Sequence, residues 1–276
     1  MTDPGSWLLV EIDCGGEDAE IVSAELWARG VAAVEEIDGA DGSTVLRTSL
    51  GIDAGDAVAE LAGSFPGITV RPIEIPRSVA DTWRRFVSAS HVVDDIWIVP
   101  EWCERPQGRA VVIEPFDTFG LGNHPTTVLA LRAALRVCDA GSTVLDVGTG
   151  SGVLAVGLAR LAGSTVDAFD IAPQSRDALA HNALLNDVSG RVEWCETPFA
   201  GDAAGRYSLV VANILAPVLR TIAADLQATT RTGGHIVLSG LRDDQVESVI
   251  GHYGRCRVES IESIDGWSGV TLCRES

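Results

Sequence analysis

No lysine occurs in this chain; its 20 basic residues are all arginine. That excludes a Walker-type phosphate loop, which ends on a lysine reaching the outer phosphates. Positive charge is scarce altogether: 39 acidic residues leave a net charge of −19. Binding along a nucleic-acid backbone needs a basic face and is disfavoured. A basic protein partner suits the charge, as does solubility alone. No apolar run approaches the ~20 residues of a membrane span. Residues 1–6 carry no basic stretch followed by an apolar one, so neither a membrane nor a secretory leader is expected. The six cysteines (14, 103, 138, 195, 256 and 273) form no C-x-x-C pair. They read as reduced thiols of a cytoplasmic protein. The five histidines are equally scattered, and no metal site is expected.

What is present centres on residues 143–170. A buried strand (Val144, Leu145, Val147) runs into a loop with glycines at 148, 150 and 152. An apolar helix over 153–161 follows, then Gly163 and a second strand ending in Asp170. This is a β-α-β unit whose glycines admit a ligand close to the backbone, with a carboxylate placed to hold a ribose diol. A dinucleotide fingerprint requires G-x-G-x-x-G. Here the spacing is G-x-G-x-G, with Val153 at the sixth position. Asp146 adds an acidic group beside the loop, which suits a ligand carrying an ammonium or sulfonium. The combination points to S-adenosylmethionine.

At 276 residues and 46% hydrophobic content, about two domains with ample cores are expected. Residues 1–76 read as strand (7–12), helix (18–29), strand (31–37), a turn at Asp41-Gly42, strand (44–47), helix (53–64) and strand (68–75). The order β-α-β-β-α-β is that of a small ferredoxin-like α+β domain. It holds no reactive cluster and reads as a recognition or packing domain. Residues 77–113 read as a linker, with a short helix over 81–86 and paired strands at 96–99 and 110–113 around a turn at 104–108. From 114 to 276, strands alternate with helices, which predicts an α/β, Rossmann-like, doubly wound and mostly parallel sheet. A pair of strands at 258–264 and 269–273, expected antiparallel, closes it.

Two further stretches draw attention. Phe119-Gly-Leu-Gly-Asn-His-Pro-Thr-Thr127 leads into a helix over 128–137. A helix N-terminus presents free N–H groups and hydroxyls to a ligand, although Thr126 or Thr127 could equally serve as a plain N-cap. Leu209-Val-Val-Ala-Asn213 is an apolar strand ending in an asparagine, at the crevice mouth of a parallel sheet. Its amide can accept a hydrogen bond from an amine and aim the nitrogen lone pair.

Taken together, these motifs resemble the methyltransferases that act on large-subunit ribosomal protein eleven (PrmA-type). The resemblance is carried by Asp81-Thr-Trp-Arg-Arg-Phe86, Trp97-Ile-Val-Pro-Glu-Trp102, the 119–127 loop, residues 144–155, Asp170-Ile-Ala-Pro-Gln174, Val210-Val-Ala-Asn-Ile-Leu215 and Leu238-Ser-Gly-Leu241. It implies a ferredoxin-like substrate-recognition domain before a class I S-adenosylmethionine-dependent domain. It also implies N-methylation of lysine side-chain or N-terminal amines of a large-subunit ribosomal protein. Its cofactor contacts fall on Thr127, Gly148, Asp170 and Asn213. The family commonly has threonine where this chain has Leu121, and aspartate where it has Ala172.

Methyl transfer from a sulfonium is an in-line displacement that needs no metal, and holding the reactants in line supplies much of the rate. The expected roles are then Asn213 as the catalytic residue that orients the amine and Asp170 on the ribose. The loop from Phe119 and Gly120 to Thr127 closes over the methionine part, above Gly148 and Gly150. No general base is assigned; His124 is singled out only by its loop. A monomer is expected. The rival readings are another acceptor (a different protein lysine, a glutamine amide or a small molecule) and a non-catalytic binding protein on the same fold. The glutamine-amide reading suffers because the segment after Asn213 lacks the two prolines and aromatic residue expected there.

Overall fold

The computed structural model describes residues 6–14, 18–28, 34–38, 43–49, 55–65, 67–76, 84, 87–116 and 118–275. Two compact units divide the chain, Met1–Val87 and Ser88–Ser276. The expected Asp41-Gly42 turn and most of the 81–86 helix, with Trp83, lie outside the described residues.

In the first unit, β1 (Ser6–Cys14), β2 (Glu35–Asp38), β3 (Thr44–Ser49) and β4 (Thr69–Pro76) form one antiparallel sheet in the order β2-β3-β1-β4. Helices α1 (Ala19–Ala28) and α2 (Gly55–Ser64) interleave with them in the split β-α-β order. Period-two alternation explains the burial. Val10, Ile12 and Cys14 face a core shared with Val22, Leu26, Leu46 and Leu61. Glu11 faces the other way, where Arg47 donates to it at 2.7 Å.

The second unit opens with a three-stranded sheet: β5 (Ser90–Val93), β6 (Ile96–Pro100) and β7 (Arg109–Ile113). The strands β6 and β7 do pair, but in parallel. Residues 101–108 are therefore a crossover and not a hairpin turn. What sequence could not reveal is the partner along the edge of β7. Asn186 exchanges side-chain hydrogen bonds with the N–H and C=O of Val112 (2.9 and 2.7 Å), and Asn182 does the same with Glu114 (2.9 and 2.8 Å). Two amides on one buried helix face stand in for a neighbouring strand.

The main sheet has seven strands, β8 (Thr143–Val147), β9 (Thr165–Phe169), β10 (Val192–Trp194), β11 (Tyr207–Asn213), β12 (Thr230–Arg242), β13 (Cys256–Ile264) and β14 (Trp267–Arg274), in the order β10-β9-β8-β11-β12-β14-β13. The first five are mutually parallel. The closing pair is antiparallel as expected, and the last strand inserts between β12 and β13. Helices α3 (Pro125–Val137), α4 (Val153–Ala162) and α5 (Gln174–Leu185) pack with Val144, Val211 and Val237 on one face. Helices α6 (Ala216–Thr221), α7 (Ala223–Thr229) and α8 (Val246–Ile250) pack with Leu145, Val210 and Ile236 on the other. Burial on both faces is why these strands are continuous apolar runs. The helix expected over 217–226 is broken at Ile222, which leaves the helical region (φ −96°, ψ 9°).

Candidate active site

Strands β9, β8 and β11 lie side by side, and their carboxyl ends share one edge of the sheet. The chain runs outward from β8 through β9 to β10, then returns to place β11 on the other flank of β8. The crevice at such a reversal is where open α/β sheets bind ligands. Gly148, Gly150 and Gly152 all have positive φ (76°, 54° and 83°), a region that L side chains rarely occupy. Space matters as well. A Cβ on Gly148 would come within 2.2 Å of Ile214 Cγ2, and one on Gly150 within 2.4 Å of the Phe119 carbonyl oxygen. The loops after β11 and before α3 thus press directly on the glycine loop.

Asp170 stands half-buried at the end of β9. Its Oδ2 accepts from Gly150 N–H (2.8 Å) and its Oδ1 from Ala172 N–H (2.9 Å). Both oxygens are fixed by backbone, and each retains acceptor capacity for a ligand hydroxyl. Asp146 lies fully buried below the loop. Its Oδ2 accepts from Thr149 Oγ1 (2.7 Å) and Ala155 N–H (3.1 Å), while its Oδ1 is buried with no hydrogen-bond partner. Burial raises its pKa from 3.8 to about 7, against the opposing effect of those two bonds.

At the front of α3 the cap is His124, not a threonine. Pro125 opens the helix, and His124 Nδ1 accepts from Thr126 N–H (3.4 Å) and meets Thr126 Oγ1 at 2.8 Å. Its ring packs edge-on against Trp267 (4.9 Å between centroids) and Phe119 (5.9 Å), and burial lowers its pKa. Thr127, fully buried one turn in, accepts from Asn213 Nδ2 at 3.4 Å. That bond turns Asn213 Oδ1 away from Thr127 and leaves it free to accept. Gly120 is clamped from behind, its carbonyl taking the Ser151 hydroxyl (2.7 Å), while Ser151 N–H donates to the Phe119 carbonyl (2.8 Å).

Sequence reasoning did not single out Asn182. Besides Glu114, it donates to the Ser151 carbonyl (2.8 Å), joining the start of the 114–127 segment to the glycine loop. The spacing marks Asn182 and Asn186 as polar residues four apart on the side of α5 that also carries Ala178, Leu179 and Ala183, but it does not name their partner.

The model of the ribosomal protein L11 methyltransferase (PrmA) family matches residues 78–275. The chain belongs to that family. The ribosomal protein L11 methyltransferase of Dechloromonas aromatica (strain RCB) is 37% identical over 207 residues, which cover 72% of this chain and 69% of that protein. The one from Thiobacillus denitrificans (strain ATCC 25259 / T1) is 36% identical over 250 residues, covering 89% and 80%. The crystal structure of ribosomal protein L11 methylase from Lactobacillus delbrueckii subsp. bulgaricus matches with a TM-score of 0.63 at 29% identity, over 69% of this chain and 100% of that one. The PrmA family is one of S-adenosylmethionine-dependent protein methyltransferases, and this chain is such an enzyme. The residues suit that methyl donor. Asp146 Oδ1 is an unpartnered buried acceptor below the loop, and Asp170 offers two acceptors at its side.

Proposed function

We propose that this methyltransferase methylates lysine side-chain or N-terminal amines of ribosomal protein L11, the protein for which its relatives are named, acting as a cytoplasmic monomer. One observation carries the residue assignment: Asn213 reaches Thr127 across the crevice, beside the loop that Asp170 pins at Gly150. S-adenosylmethionine supplies an activated methyl group on a sulfonium. Asp170 would hold the ribose, with Gly148 and Gly150 admitting it close to the backbone. Phe119, Gly120 and Thr127 would flank the methionine end. Asn213 Oδ1 accepts an N–H of the incoming amine and aims its lone pair along the line of displacement.

A lysine amine, with an ordinary pKa of about 10.4, must arrive without its proton. Phe119, Ile171 and Leu215, each adjacent in sequence to a site segment, expose apolar side chains. Entry past such surface disfavours the ammonium form. The proton leaves to water, since His124 Nδ1 is engaged in capping α3. At Ala172 it is the backbone N–H that bonds Asp170, so the side-chain departure there leaves that clamp in place. Leu121 supplies no hydroxyl where the family commonly has threonine, and orientation of the acceptor amine is assigned to Asn213.

The recruiting charge is concentrated in the first unit. Residues 1–87 hold 16 acidic residues against 6 arginines, more than half of the whole chain's −19. That balance suits a basic ribosomal protein. Calorimetry with S-adenosylmethionine, followed by transfer of labelled methyl to purified L11, tests the reading. One-to-one binding and label on L11 are expected. No heat at high micromolar cofactor would remove the enzyme assignment.

A further inference from the structure

His235, Glu259 and Cys273 are separated by 24 and 14 residues in sequence, yet the sheet gathers them. His235 on β12 and Cys273 on β14 are direct cross-strand partners. Glu259 lies on β13, where the ladder to β14 shifts register between Val258 and Ser260. A bulge of this kind re-aims a side chain. The imidazole, thiol and carboxylate donor atoms all lie within 4.8 Å of one another, the one such set of three among the described residues. His235 Nε2 and Glu259 Oε2 face each other at 3.1 Å, His235 half-buried and Glu259 exposed.

Either an Nε2–H of the neutral imidazole donating to the carboxylate or a metal ion held by both atoms accounts for this approach. Nitrogen, sulfur and oxygen donors in one cluster form the ligand chemistry of Zn2+. Bonds of about 2.0–2.3 Å place tetrahedral ligands about 3.3–3.8 Å apart, so closure around an ion asks for side-chain adjustments of about 1 Å. Arg257 supports the carboxylate from outside, donating to Glu259 Oε1 at 2.8 Å and leaving Oε2 turned to His235. Carboxylate ligands are ordinarily held by such a partner. Glu275, 3.8 Å from Arg257, offsets that arginine's charge.

We propose that His235, Glu259 and Cys273 bind Zn2+ or a similar thiophilic divalent ion, which ties β12, β13 and β14 together at their outer end. The cluster is separate from the methyl-transfer site. His235 lies four residues, about 13 Å along the strand, from Ser239, the partner of Asn213. The bound ion is a clamp and takes no part in methyl transfer.

Untagged, chelator-treated, full-length protein in a thiol-free reductant is titrated with Co2+, then Zn2+. Expected are one ion per chain, a thiolate-to-cobalt charge-transfer absorption and its displacement by Zn2+. The unfolding midpoint rises by about 5 °C or more at Zn2+ about 100-fold above its Kd. Cys273→Ser abolishes the charge-transfer band, and Glu259→Gln and His235→Gln weaken binding by more than about 100-fold, beyond the usual cost of losing an outer partner. S-adenosylmethionine affinity stays unchanged throughout. A missing cobalt–thiolate band, a band that survives Cys273→Ser, or a Zn2+ response identical in wild type and all three variants would overturn the site.

Discussion

Replacing Asp146 by asparagine should make the enzyme more stable at alkaline pH. The carboxyl group is fully buried, and its pKa rises from 3.8 to about 7. The folded state therefore holds the proton more tightly than the unfolded chain. For a raised acid, folding stability is highest below the unfolded pKa, falls as pH rises from about 4 to about 7, and stays reduced above that. The shift corresponds to a penalty of about 4 kcal/mol at pH 8. An asparagine carbonyl can take the bonds from Thr149 and Ala155 that Oδ2 now accepts. Its NH2 then occupies the unpartnered position of Oδ1, at a cost of about 1–3 kcal/mol. The net gain for Asp146→Asn is about 1–3 kcal/mol at pH 8. At about pH 4.5 the variant falls level with wild type or below it. Urea unfolding of both proteins at the two pH values, followed by tryptophan fluorescence, reads the difference. Parallel stability curves for the two proteins between these pH values would refute the buried, unpaired carboxylate.

Asp170→Ala should weaken S-adenosylmethionine binding by about 10–100-fold, the worth of hydrogen bonds to one charged group, as read by calorimetry. Asn213→Ala should lower kcat on L11 by about 100-fold, the cost of an amine misplaced by about 1 Å, with the unfolding midpoint lowered by only about 2–4 °C for the lost bond to Thr127. Asn182→Leu keeps the volume but strips partners from the Glu114 N–H and C=O and from the Ser151 carbonyl. At about 1 kcal/mol or more for each stranded group, the midpoint should fall by about 6 °C or more in a thermal melt.

The glycine loop and Asp170 were legible because a positive-φ turn between two apolar strands has a short-range signature. Asn213 was legible for a similar reason, as one polar residue closing a strand buried on both faces. The His124 cap was within reach too, since a proline at the first helical position marks the residue before it as the cap. What stayed hidden was long-range pairing. Nothing local says that β7 borrows its edge partners from Asn182 and Asn186, or that β6 and β7 run parallel. The insertion of β14 beside β12 is of the same kind. That strand order turns the scattered His235 and Cys273 into neighbours and sets Trp267 against His124.

The most direct measurement offers the enzyme a mixture of purified large-subunit ribosomal proteins with labelled S-adenosylmethionine and identifies the labelled protein and its amines by mass spectrometry. The chain contains no lysine, so no methyl-lysine can originate from the enzyme itself. Label confined to lysine or N-terminal amines of ribosomal protein L11, and incorporated about 100-fold more slowly with Asn213→Ala, is the predicted result. Label on another protein, or undiminished label with Asn213→Ala, would contradict it.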